Sequence, residues 1–253
     1  MTTALVTGAS AGFGREIARR LVREGMRVIG VARRAARLDA LAAELGASFL
    51  PVSCDMRDVS ALSDFQSSLP ASWRDIDILI NNAGLALGIS KAQESRWADW
   101  AQMIETNVTG LTALTHALLP GMVARRRGHI VMMGSIAGRY PYQGGNVYGA
   151  TKAYVAQFAA NLRTDLLGLP IRVTNIAPGL CGGSEFSAVR MADAEAAAAV
   201  YAGTTPITPI DIAEIVSWVV QQPAHVNVNE IEVMPVCQAA GGLAIDRSTN
   251  HVD

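Results

Sequence analysis

Charge is scarce in this 253-residue chain: 17% of residues are charged, and 21 Lys and Arg nearly cancel 22 Asp and Glu, for a net charge of -1. Half of the residues are hydrophobic, a balance that excludes a disordered chain. A near-neutral surface argues against a nucleic-acid partner, which needs a concentrated excess of Lys and Arg. It leaves room for a small anion held by one or two arginines. Cysteine is scarcer still. Cys54, Cys181 and Cys237 are odd in number, far apart and without C-x-x-C spacing, so neither a disulfide framework nor a zinc site is expected. Free thiols suit a reducing cytoplasm. His116, His129, His225 and His251 show no ligand spacing, and no metal is expected. No apolar run approaches the ~18 residues of a membrane span. Met1 leads directly into Ala4-Leu5-Val6-Thr7-Gly8 without a basic stretch and long apolar core, so no secretory leader is expected.

What is present is alternation. Short apolar runs at 4–7, 27–31, 49–52, 76–80, 129–133, 171–176 and 231–234 read as strands. Between them, apolar residues recur at helical spacing. Ile17, Ala18, Leu21 and Val22 precede Gly25, and Leu38, Leu41, Ala42 and Leu45 precede Gly46. Val59, Leu62, Phe65 and Leu69 predict one helix stopped by Pro70. Further helices are expected over 99–125, with a kink or early end at Pro120, over 148–166 and over 210–220. Strand and helix in alternation imply an α/β fold: a Rossmann-type, doubly wound parallel sheet with helices on both faces. With no linker-like composition and no fixed-period repeat, residues 1–253 read as a single domain. The irregular stretch 180–208 is long enough to be a lid, and 235–253 reads as a C-terminal extension.

Chemistry-bearing residues cluster after the strands. Thr7-Gly8-Ala9-Ser10-Ala11-Gly12-Phe13-Gly14 follows the first strand and opens a helix. Glycines there let backbone approach a pyrophosphate, whose charge a helix N-terminus favours. The second strand ends in Ala32-Arg33-Arg34, with no carboxylate to repel a 2′-phosphate and two guanidiniums able to grip one. NADP is therefore favoured, the other reading of Arg33 and Arg34 being a solvated helix face, as for Arg37. Tyr148 and Lys152 stand one helical turn apart, where an ammonium can stabilise a phenolate and lower its pKa from ~10. Ser135 and Asn81-Asn82-Ala83-Gly84 lie at strand ends, where open parallel sheets bind ligands.

In order and spacing, these marks resemble the short-chain dehydrogenase/reductase family over essentially the whole chain: Thr7-Gly8 with Gly12 and Gly14, Asp55, Asn81-Asn82-Ala83-Gly84, Asn107, Ser135, Tyr148 with Lys152, and Pro178-Gly179. The resemblance implies that Gly8, Ser10, Gly12, Phe13 and Gly14 surround the pyrophosphate and that Asp55 meets the adenine. Asn82, Ala83, Gly84, Pro178 and Gly179 belong to the same cofactor site. Ser135 polarises the substrate oxygen and Tyr148 is the general acid/base. Lys152 holds the nicotinamide ribose and depresses the tyrosine pKa, and Asn107 organises a water relay. It also implies a dimer or tetramer built through long helices.

Three stretches, 82–88, 144–153 and 182–187, resemble the NADP-dependent 3-hydroxy acid dehydrogenases and their sulfoacetaldehyde reductase branch. A short anionic aldehyde, or the matching hydroxy acid or hydroxysulfonate, is the expected substrate. Arg190 is a candidate for its head group if it faces inward rather than to solvent. Gln143 is a second candidate, because an extra amide donor suits a sulfonate's three oxygens; its other reading is a surface residue. On that residue the expectation leans to NADPH-dependent reduction of sulfoacetaldehyde to isethionate. The alternative is a dehydrogenase of serine, L-allo-threonine or 3-hydroxypropionate. A catalytically silent NADPH sensor is less favoured, since it has no use for Ser135, Tyr148 and Lys152 together.

Overall fold

Among the described residues, seven parallel strands form one sheet in the order β3-β2-β1-β4-β5-β6-β7. The structure, a computed structural model, describes residues 1–240. The strands are β1 (Thr3–Thr7), β2 (Arg27–Ala32), β3 (Phe49–Ser53), β4 (Ile78–Asn81), β5 (Gly128–Met133), β6 (Ile171–Pro178) and β7 (Glu230–Val233). Every residue of β1, β4 and β5 is buried, as expected of central parallel strands covered on both faces. Their alternating side chains feed two cores. Ala4, Val6, Val28, Ile80 and Val131 pack against α1 (Gly12–Arg23), α2 (Ala35–Leu45) and α10 (Pro209–Val220). Leu5, Ile29, Leu79, Ile130 and Met132 pack against residues of α3 (Val59–Ser63), α6 (Leu111–Ala124) and α7 (Asn146–Asp165).

Two helices differ from the periodicity. The expected helix over Val59 to Leu69 is two short pieces, α3 and α4 (Phe65–Ser68), because Asp64 ends the first. The long helix is divided upstream of its proline: α5 (Trp97–Ile104) passes through a π-helical turn, Glu105–Gly110, into α6. Pro120 neither ends nor interrupts α6, which runs on to Ala124. It lies on the exposed side together with His116, whose carbonyl loses its helical donor.

Strand order reverses between β1, which leads out through β2, and β4, which leads the other way. Such a switch point opens a crevice beyond the carboxyl ends of the strands. The segment after β6 folds over it. Its neck is closed by bonds from Ile207 N to Leu180 O (3.1 Å) and from Gly182 N to Ile207 O (2.9 Å). Between them lie two short helices, α8 (Phe186–Met191) and α9 (Ala194–Ala199). The beginning of the C-terminal extension reaches the same crevice, where Gln238 Oε1 accepts from Leu180 N at 2.7 Å. The remainder of the extension, residues 241–253, lies outside the described residues.

Candidate active site

The crevice is a cleft of about 700 Å³. At one end is the Gly-rich turn. Gly8 holds φ +71°, and a Cβ there would sit 2.8 Å from Asn82 Nδ2. Thr7 explains the contact: its Oγ1 accepts from the amides of Asn82 and Ala83, and its carbonyl accepts from Asn82 Nδ2 at 2.8 Å. The turn is thereby fastened to the end of β4. Gly14, at the start of α1, admits no Cβ without striking Gly8 O. The N-cap of α1 has no side-chain bond and its first turn carries no acid. Its amides therefore stay available to an anion. Ser10, Gly12 and Phe13 line the cleft beside them.

Arg33, Arg34 and Asp55 line the wall beyond. Arg34 bonds Ser10 Oγ through Nε (3.2 Å) and Nη2 (3.1 Å). Asp55 is paired with Arg57 at 2.8 Å, which holds its carboxyl below the usual range. Glycines at the turn, uncapped helix amides and guanidiniums where an acid would repel phosphate form a donor set that fits a dinucleotide bearing a 2′-phosphate.

At the other end, Ser135, Tyr148, Lys152, Asn82, Ala83, Gly84, Pro178, Gly179 and Arg190 border the same cleft. Ser135 follows β5 in extended backbone, its Oγ accepting from Ala137 N at 3.1 Å and donating to Pro178 O at 3.5 Å. Tyr148 and Lys152 lie one turn apart on the buried face of α7. Lys152 Nζ donates to Met133 O at 2.7 Å and lies 5.9 Å from the Tyr148 ring centre. One bond of three leaves the ammonium donors for another acceptor.

The electrostatics depart from expectation. Burial pushes the Tyr148 hydroxyl up to about 12, opposed by Ser135 and Arg190, and burial pulls Lys152 down to about 8. In the protein alone, desolvation of the phenolate dominates, and the groups that oppose it are Ser135 and Arg190 rather than Lys152. The hydroxyl is held as a proton donor.

Asn107 sits in the π-helical turn, its carboxamide closing a ring with Leu85: Oδ1 accepts from Leu85 N (2.9 Å) and Nδ2 donates to Leu85 O (2.8 Å). Nδ2 also reaches Thr151 Oγ1 at 3.1 Å. It is behind the cleft wall, holding the loop after Gly84. π-Helical turns often mark functional positions, and apolar periodicity carries no sign of this one.

Arg190 faces inward. Its guanidinium lies 5.8 Å from the Tyr148 ring centre, and two bonds, to Gly88 O and Gly144 O, hold it there. Gln143 does not join it. This exposed residue lines an adjoining open depression with Lys91 and Asn146, outside the cleft. The positive φ of Gly144, +77°, turns the chain between Gln143 and α7. The amide on which the sulfonate reading leaned is therefore not in the substrate space. Residues without an assigned role in the sequence also enter the cleft: Leu85, Tyr201, Gln238 and Glu185. Glu185 stood in one of the resembling stretches; Tyr201 and Gln238 carry no local pattern.

Residues 2–194 match the family described as short chain dehydrogenase. The chain belongs to the short-chain dehydrogenase family. This dehydrogenase is 56% identical over 245 residues to the NADP-dependent 3-hydroxy acid dehydrogenase YdfG of Salmonella typhi, covering 96% of this chain and 99% of that one. It is 49% identical over 248 residues to the serine 3-dehydrogenase of Agrobacterium fabrum, covering 98% and 99%. A solved structure described as the closed form of serine dehydrogenase complexed with NADP+ superposes with a TM-score of 0.96 at 52% identity, covering 97% of this chain and 100% of that one. These relatives favour the hydroxy-acid alternative over the sulfonate reading.

Proposed function

We propose that this dehydrogenase uses NADP(H) to interconvert a short 3-hydroxy acid, such as serine, L-allo-threonine or 3-hydroxypropionate, with its oxo acid or semialdehyde. The reading rests on one observation: Ser135, Tyr148 and Arg190 converge at one end of a cleft whose other end holds Arg33 and Arg34. The names of its relatives support the same substrate class and cofactor.

Bound NADP(H) supplies the hydride chemistry. Gly8, Gly12 and Gly14, with the first-turn amides of α1, hold the pyrophosphate, and Arg33 and Arg34 the 2′-phosphate. Asp55 lies toward the adenine, Lys152 toward the nicotinamide ribose. Ser135 donates to the reacting oxygen, and Tyr148 gives it a proton in reduction or takes one in oxidation. A preorganised donor at such an oxygen contributes about 3–4 kcal/mol. Arg190 holds the carboxylate and, with Lys152, lowers the cost of a transient phenolate. Asn107 keeps the loop after Gly84 in place and begins a water path from Lys152. Exposed apolar side chains on the helices, Trp97, Tyr154 and Trp218, suit a dimer or tetramer. The three unpaired cysteines suit a cytoplasmic setting.

Parallel kcat/KM measurements on serine, L-allo-threonine, malonic semialdehyde and sulfoacetaldehyde test the substrate, with Gln143→Ala beside wild type. Hydroxy acids and the semialdehyde are expected to exceed sulfoacetaldehyde, and the variant to match wild type. A sulfoacetaldehyde preference that Gln143→Ala abolishes restores the sulfonate reading. Tight NADPH binding without turnover of any of them points to a sensor.

A further inference from the structure

A lid carboxylate reaches the far end of the cleft. Glu185 immediately precedes α8. Its Oε2 accepts from Arg34 Nη1 at 2.7 Å and its Oε1 from Arg37 Nη1 at 2.8 Å. Arg34 comes first and Arg37 second in holding that carboxyl below its usual range. The other edge of Arg34 rests on Ser10 Oγ. The guanidinium that faces the pyrophosphate turn is thus engaged on both sides by the protein itself. On one side the partner is a neutral hydroxyl, on the other an anion.

The same short helix covers the catalytic end. Phe186 packs on Tyr148 with ring centres 5.8 Å apart, Ser187 bonds Tyr201 at 2.5 Å, and Arg190 lies over the Tyr148 ring. A lid anion therefore stands on arginines at the adenosine end, while the residues next to it cover the hydroxyl that moves the proton.

We propose that Glu185 is an intramolecular stand-in for the 2′-phosphate, lowering the affinity for NADP(H) and tying the lid to the adenosine end of the cofactor site. This rests on the NADP reading above. The two anions compete for Arg34 because a guanidinium edge already bonded to a carboxylate cannot bind a phosphate bidentately. Placed side by side, phosphate and carboxylate also repel. The phosphate takes Arg34, and Glu185 retains only Arg37 on the flank. One of the two bonds that pin the start of α8 is lost each time the cofactor binds, and it re-forms as the cofactor leaves. Arg37, unremarkable in the sequence, becomes the residue that keeps the displaced carboxylate close.

Glu185→Gln keeps the shape and removes the charge. Calorimetric titration with NADP+, NAD+, 2′-AMP and 5′-AMP reads the consequence. The pairs are half exposed, so the expected gain is roughly threefold to tenfold tighter NADP+ and 2′-AMP at low ionic strength, shrinking with salt. NAD+ and 5′-AMP are expected to bind the variant as they bind wild type. Hydrogen exchange over residues 184–191 reads the lid: 2′-AMP should speed it in wild type and leave the variant unchanged. Unchanged or weakened NADP+ binding in Glu185→Gln overturns the proposal, because Glu185 is then idle or holds Arg34 in its binding pose. Wild-type exchange that 2′-AMP slows or leaves alone overturns it too. A wild type with no preference for NADP+ over NAD+ refutes the cofactor reading and the proposal with it, whereas a preserved preference with an inert variant refutes the proposal alone.

Discussion

Tyr148→Phe removes one oxygen from a ring whose surroundings are otherwise kept. Phe186 still packs on it at 5.8 Å and Arg190 still lies over it at 5.8 Å. The backbone of α7 is untouched, and the loss of one buried hydroxyl costs stability of only about 0.5–1.5 kcal/mol. The chemical loss is larger. A positioned general acid contributes roughly 10²–10⁴ in rate, which is about 3–5 kcal/mol of transition-state stabilisation. The hydroxyl is buried and held protonated, its pKa pushed up to about 12, so bulk water has poor access to replace it as donor. The expected outcome is kcat/KM lower by roughly 10²–10⁴, followed by NADPH absorbance, with NADP+ affinity close to wild type by calorimetry. Ser135→Ala in the same background should then cost little more, because the two hydroxyls act on one oxygen and their effects do not add. A Tyr148→Phe variant within about tenfold of wild type at an unchanged melting temperature refutes the proton-transfer assignment, since a tenfold loss is only ~1.4 kcal/mol.

Arg190→Met should raise KM for a hydroxy acid roughly 30–100-fold, the lower range for truncating a hydrogen-bonded charge pair, and change KM for an uncharged alcohol little; equal changes for both would mean that Arg190 only props the loop through Gly88 and Gly144. His129, buried on β5 with its Nε2 at 2.9 Å from Thr174 Oγ1, is pulled by burial to about 3. Between its ordinary ~6.5 and that value the unfolded chain binds the extra proton. Its contribution is therefore complete above pH ~6.5 and is lost as pH falls, at up to about 1.4 kcal/mol per pH unit. Urea melts of His129→Gln should show a shallower fall over that window; an unaltered slope would assign the acid sensitivity elsewhere.

The alternation of strand and helix was legible because every central strand is buried on both faces and reads as an unbroken apolar run, as in Ala4-Leu5-Val6 and Ile130-Val131-Met132. Tyr148 and Lys152 could be paired from the sequence because spacing on one helix face sets which side chains meet, whereas Gly8, Gly12, Gly14 and Ser135 stood out by their place after strands and their resemblance to the family pattern. Periodicity does not report a π-helical turn at Asn107, since the extra residue shifts the register without changing composition. The early end that Pro120 suggested is absent, α6 running on to Ala124 with the proline on its exposed side.

Long-range encounters were decided by the fold alone. Whether Arg190 turned inward and Gln143 outward depended on how the segment after β6 lay across α7, and two residues with polar side chains near the same glycines ended on opposite sides of a wall. The lowered basicity of Lys152 and the raised pKa of Tyr148 came from burial by β5, α7 and the segment after β6, a desolvation that a pair of residues read in isolation does not contain. Residue types and local spacing therefore determined which chemistry the chain could carry. The packing of segments distant in sequence decided where its charges faced and how tightly its protons were held, because exclusion of water is a property of everything that surrounds a group.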